Sequence, residues 1–79
     1  MIPALLMPWA AKEQPSLNQW YRCIDSDHDC LKIQRDYINP ETKEVFYKIV
    51  SYYDGVVEGG YTLGQAKQEL KDRTYRKVL

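Results

Sequence analysis

The stretch CIDSDHDC, residues 23–30, carries the highest density of chemically capable side chains in the sequence. It holds both cysteines and the one histidine of the chain, together with Asp25, Asp27 and Asp29. Thiolate and imidazole groups are zinc ligands, and carboxylates at alternate positions begin a calcium loop. A metal site, a thiol redox site and a polar turn are therefore the alternatives.

A metal site fits this stretch poorly. In a calcium loop, Cys30 would stand where the sharp turn needs glycine, and the flanking residues look like strands rather than helices. In a zinc site, Cys23, His28 and Cys30 would supply three ligands, but no second paired cluster follows. We therefore predict no metal and no cofactor.

A turn is the simplest interpretation. If Ser26 and Asp27 form a two-residue hairpin loop, the strands on either side pair in one register. The resulting pairs are Cys23 with Cys30, Arg22 with Leu31 and Trp20 with Ile33. That register places Trp20, Ile24, Leu31 and Ile33 on one face, and Tyr21, Lys32 and both cysteines on the other.

The two sulfurs are then close enough to bridge. However, the spacing is not Cys-x-x-Cys, and a cytoplasmic chain keeps its thiols reduced. We expect a polar turn whose cysteines pack as small apolar side chains.

Period-two alternation of apolar residues predicts strands from residue 19 onward. Residues 45–53 form the strongest predicted strand, and Asp54-Gly55 suits a tight type I′ reversal into residues 56–58. Thr62 and Gln65 form a capping box that predicts a helix over residues 62–78, with ion pairs from Glu69 to Arg73 and from Asp72 to Arg76. The predicted fold class is α+β, a three- or four-stranded antiparallel meander with one C-terminal helix packed on one face.

The 79 residues predict a single small domain. Residues 1–18 are an apolar, proline-containing segment, residues 19–61 the sheet, and residues 62–78 the helix. The first segment is too short and too rich in proline for a membrane helix, so we expect a cytoplasmic protein without membrane contact.

Catalysis has little support in the sequence. His28 lies on a predicted loop tip, no serine stands in a nucleophile elbow, and a chain of this size has little room for a pocket. We predict no enzymatic activity and no catalytic residue.

Binding to a macromolecule has more support. The strand over residues 45–53 is apolar on both faces, and one helix covers only one of them; the N-terminal segment, a second copy of the chain or another protein must shield the other. Aromatic residues are common interface anchors, and the candidates are Trp20, Tyr21, Tyr47, Tyr52 and Tyr53. The acidic residues Asp25, Asp27 and Asp29 offer a second mode, in which carboxylates imitate phosphates.

Direct binding of DNA or RNA is the alternative. Basic and aromatic residues interleave on the predicted sheet, as in surfaces that stack bases and neutralise phosphates. The basic candidates are Lys32, Arg35, Lys48, Lys71, Arg73, Arg76 and Lys77. The 11 basic and 11 acidic residues cancel, however, so the general attraction to nucleic acid is missing.

Two resemblances bear on function. Residues 52–66, YYDGVVEGGYTLGQA, resemble the strand, turn, strand and helix start of the arm-type DNA-binding domains of phage integrases. The same hairpin followed by Thr-Leu-x-x-Ala is similar to small phage-encoded inhibitors of host enzymes or bacterial immune systems, including anti-CRISPR proteins. That second resemblance implies a stoichiometric protein that occludes a functional surface of a host or defence complex, which is either a protein or a ribonucleoprotein complex.

Overall fold

The computed structural model describes residues 5–25 and 29–78. These residues form six strands and one helix. Along the chain, the elements are β1 (Leu5–Met7), β2 (Tyr21–Cys23), β3 (Asp29–Ile38), β4 (Val45–Ser51), β5 (Gly55–Tyr61), α1 (Leu63–Arg73) and β6 (Thr74–Val78).

The strands form one antiparallel sheet in the order β1-β6-β2-β3-β4-β5. The predicted α+β class with one C-terminal helix is confirmed, but the predicted count of three or four strands is wrong. The additional strands come from the two ends of the chain, because β6 inserts between β1 and β2 and pairs with both. Within the described residues, no helix is long and apolar enough to span a bilayer.

Helix α1 begins as predicted and ends earlier than predicted. Thr62 and Gln65 form the capping box at its start, with each side chain accepting a hydrogen bond from the other's backbone N–H group. The helix ends at Arg73, and the following residues, TYRKV, form β6. These residues include β-branched and aromatic side chains that favour a strand when partners are available.

The position at which the helix ends determines which of the predicted ion pairs form. Arg73 binds Glu69 at 3.0 Å, as the i,i+4 spacing predicts. The predicted pair between Asp72 and Arg76 does not form, since Arg76 lies on β6 and binds Glu13 of the N-terminal segment at 2.6 Å.

The core lies between α1 and one face of the sheet. Ile33 and Ile49 are neighbours across β3 and β4, and both are buried against Ala66 and Leu70 of the helix. Because α1 covers this face, side chains of opposite parity on β3 and β4 lie on the other face.

The register between β2 and β3 differs from the prediction by one residue at Tyr21 and by two residues at Arg22. Tyr21 pairs with Leu31, and the register shifts between Tyr21 and Arg22. A one-residue slip exchanges the two faces of a strand, so Tyr21 lies in the core at 5% exposure instead of beside Lys32. Trp20 lies beside Lys32 instead of opposite Ile33.

The turn between β4 and β5 is longer than the predicted two-residue reversal. Ser51 pairs with Gly55, so residues 52–54 form the turn and Gly55 takes a left-handed conformation with φ of 77°. The Oγ atom of Ser51 accepts hydrogen bonds from the N–H groups of Tyr53 and Asp54, at 3.3 and 3.2 Å. This buried serine therefore holds the turn in one conformation.

Candidate functional site

The sheet face opposite α1, which we call the open face, is the first candidate surface. The described residues form one sheet and one helix, so no second layer of secondary structure packs on this face. Strand parity and pairing assign Lys32, Gln34, Lys48, Val50 and Val56 to it. Phe46 and Tyr37 lie at its far end and stack with ring centres 5.0 Å apart.

The second feature is the hairpin tip, formed by the turn residues Tyr52, Tyr53 and Asp54. The two tyrosines are 61% and 64% exposed, and their rings contact each other edge to face at 5.1 Å. The Tyr52 ring also contacts Trp20 at 5.3 Å, and the Nζ atom of Lys32 lies 4.4 Å from the centre of the Trp20 ring. An aromatic cluster therefore joins the hairpin tip to the open face.

A cleft of about 630 Å³ lies on the other side of the hairpin tip. Residues from β2 and the chain after it, β3, the hairpin and the end of α1 contribute to its walls. They are Cys23, Ile24, Asp25, Cys30, Leu31, Ser51, Tyr53, Asp54, Val57, Asp72 and Arg73. Tyr52 therefore contacts Trp20 beside the open face, whereas Tyr53 lines the cleft.

The two cysteines form a disulfide in one wall of this cleft. The expectation of free, packed thiols is wrong. Arg22 pairs with Asp29, so Cys23 and Cys30 are not direct partners in the ladder, yet their Cα atoms are 5.8 Å apart, within the range that a disulfide spans. The bridge links β2 to β3 around the predicted turn.

The structure separates the predicted aromatic site. Trp20, Tyr52 and Tyr53 form the aromatic cluster, whereas Tyr21 is in the core and its hydroxyl accepts a hydrogen bond from the Ser16 N–H group at 2.7 Å. Tyr47 is half-buried against the core. Tyr21 and Tyr47 therefore pack against the core and are not part of the aromatic cluster.

The predicted acidic loop is described only in part. Asp25 lines the cleft, whereas Asp27, His28 and the side chain of Asp29 lie outside the described residues. Asp54 and Asp72, which sequence reasoning did not select, line the same cleft as Asp25. No short-range pattern marks them, because one lies in the hairpin turn and the other on α1.

The predicted basic residues do not form one surface. Lys32 and Lys48 lie on the open face, whereas Arg35 pairs across the ladder with Tyr47, on the helix side. Lys71 donates a hydrogen bond to the Ala11 carbonyl at 3.2 Å. Arg73 and Arg76 bind the carboxylates of Glu69 and Glu13, and the side chain of Lys77 is outside the described part.

One tyrosine has an altered acidity. The Tyr61 hydroxyl donates a hydrogen bond of 2.7 Å to Glu58. This bond, with burial and the negative charge of Glu58, raises the pKa of Tyr61 to about 12. Both residues lie on β5, which is an edge strand of the sheet, away from the aromatic cluster.

No family model, no curated protein and no solved structure matches this chain. Within residues 5–25 and 29–78, no three His, Cys, Asp or Glu side chains come together to form a metal site. The two surfaces beside the hairpin tip are therefore the basis for a functional proposal.

Proposed function

We propose that this protein is a non-enzymatic binding protein that contacts a protein partner through its hairpin tip and the end of the open face next to the tip. The observation that carries the proposal is the exposure of Tyr52 and Tyr53 at 61% and 64%. Tyrosine and tryptophan are enriched among residues that dominate binding energy. Val56, 57% exposed, extends the apolar surface from the tip onto the open face.

The conformation of the tip favours this role. Two hydrogen bonds to the Ser51 Oγ atom and the left-handed Gly55 hold the turn before any partner arrives. The Tyr52 ring packs against Trp20. A binding loop that is already ordered loses less conformational entropy when it binds, so more of its contact energy appears as affinity.

The resemblance to phage-encoded inhibitors favours a host enzyme or a bacterial defence complex as the class of partner. Under this proposal the protein acts stoichiometrically by occluding a functional surface of that complex. A second copy of the chain is the other protein that could cover the open face, and sedimentation analysis would reveal it as a homodimer.

The first experiment is affinity capture of the tagged protein from bacterial lysate, with and without nuclease. We expect a discrete protein complex that is retained after nuclease treatment and lost when Tyr52 is replaced by alanine. Tyr37→Ala is the matched control, because Tyr37 is also exposed but lies at the far end of the open face. Equal retention by both variants would contradict a site at the hairpin tip.

Nucleic-acid binding is the second candidate function, and one observation favours it. Lys32 and Lys48 share the open face with Val50, and Lys32 lies beside the Trp20 ring, which in turn contacts the Tyr52 ring. Such a surface would stack single-stranded bases and neutralise about two phosphates, giving a logarithmic salt slope of roughly −1.4. Fluorescence anisotropy with a labelled single strand tests this, and no binding at micromolar protein would eliminate it.

A further inference from the structure

The cleft beside the hairpin tip combines an apolar floor with an acidic rim. Ile24, Leu31 and Val57 supply apolar side chains, and the Cys23–Cys30 bridge completes the wall between β2 and β3. Ile24 and Val57 are both exposed, so the floor is open to solvent. At about 630 Å³, the cleft has the volume of sites that hold small molecules or short segments of a chain.

The charges around the cleft do not balance. Asp25, Asp54 and Asp72 approach it from three different elements, and Arg73 is the one basic residue in its described lining. The Arg73 guanidinium binds Glu69 at 3.0 Å. Within the described residues, neither ion pair of the structure includes any of the three aspartates.

The position of Asp72 increases this imbalance. It lies in the last turn of α1, where the backbone carbonyl groups give the helix a partial negative charge. Its carboxylate accepts a hydrogen bond from the neutral side chain of Gln68 at 2.9 Å, which leaves the charge in place. A positive group in the cleft would therefore be attracted both by the carboxylates and by the helix end.

We propose that this cleft binds an arginine or lysine side chain from an exposed segment of the protein partner, flanked there by apolar residues. The aliphatic stem of such a side chain packs on Ile24 and Val57, and its cationic end reaches the aspartates. This inference rests on the proposed function and specifies the partner's chemistry: one cationic side chain between apolar neighbours. A metal ion fits less well, because the acidic groups described do not converge on one point.

A synthetic probe tests the cleft without the partner. Two blocked pentapeptides, one with arginine and one with glutamine between two leucines, are titrated into the ¹⁵N-labelled full chain. We expect the arginine peptide to shift the amide signals of Ile24, Leu31 and Val57, and the glutamine peptide to leave them unchanged. Equal shifts with both peptides, or none with either at millimolar concentration, would overturn the proposal.

Charge variants provide the second readout. Asp25→Asn and Asp54→Asn should each weaken arginine-peptide binding roughly 2-fold or more, as expected for a partly exposed ion pair. Glu41→Gln removes one carboxylate from the exposed turn between β3 and β4 and should leave the affinity unchanged. Unchanged affinity in the two aspartate variants would overturn the electrostatic part of the inference.

The two proposals fail separately. If the cleft does not bind the arginine peptide while Tyr52→Ala still abolishes partner capture, only the cleft inference is wrong. If the cleft binds the peptide while partner capture is insensitive to Tyr52, the aromatic site of the proposed function is wrong and the cleft is supported.

Discussion

The Trp9 indole nitrogen donates a hydrogen bond of 3.2 Å to the hydroxyl of Thr74, which lies 65 positions later in the chain. The same hydroxyl donates to the Leu70 carbonyl at 2.6 Å. Thr74 is buried at the point where α1 becomes β6. One side chain thus joins the N-terminal segment, the end of the helix and the last strand.

Replacing Thr74 by valine should destabilise the protein by about 1–3 kcal/mol, because it leaves both the Trp9 donor and the Leu70 acceptor without this partner at nearly constant volume. Urea unfolding followed by circular dichroism measures the effect. Thr42→Val is the control, since Thr42 is exposed in the turn between β3 and β4 and should cost less than about 0.5 kcal/mol. Equal stability of the two variants would show that the Thr74 junction contributes nothing.

Local patterns predicted part of the fold well. The capping box at Thr62 and Gln65 and the ion pair from Glu69 to Arg73 depend on residues three or four positions apart, and both are present. The strand predicted over residues 45–53 forms β4 over Val45–Ser51. In each case the information lies within one turn of helix or one strand.

Such local patterns do not predict which distant strands pair with each other. Thr74 and Val78 follow Leu70 at the i,i+4 spacing of a helix, but they also suit a strand, and pairing with β1 and β2 decides between the two. The bulge between Tyr21 and Arg22 leaves no mark in the alternation of residues, yet it moves Tyr21 into the core. The cleft was missed because its carboxylates come from distant parts of the chain.

The disulfide should contribute measurably to stability. Cys23 and Cys30 are separated by 7 positions, and closing a loop of this length stabilises the folded state by about 2–3 kcal/mol through the unfolded chain. A reducing agent should therefore lower the free energy of unfolding by about this amount. The Cys23→Ser variant should not respond to the reducing agent, and a wild-type protein that is equally insensitive would contradict a structural role for the bridge.

Tyr61 should make stability depend on pH in the alkaline range. Since the folded-state pKa is about 12 against an ordinary value of 10.0, the neutral phenol is favoured by folding. Its contribution is complete below pH 10.0 and is lost as the pH rises to about 12.

The titration itself is measured by NMR of ¹³C-labelled tyrosine rings. One ring should ionise with a pKa of about 12, and Glu58→Gln should lower that value because the negative acceptor is removed. Tyr61→Phe assigns the signal. If the pKa of Tyr61 is the same in the Glu58→Gln variant as in the wild type, Glu58 is not the cause of the raised value.

Binding through the hairpin tip is tested most directly by the affinity of the captured and purified partner for variants of the tip, measured by calorimetry. Tyr53→Ala should raise the dissociation constant by more than about fivefold, equivalent to roughly 1 kcal/mol, without a matching loss of thermal stability. Tyr37→Ala, at the far end of the open face, should leave it nearly unchanged. Equal affinities for wild type and both variants would contradict a binding site at the hairpin tip.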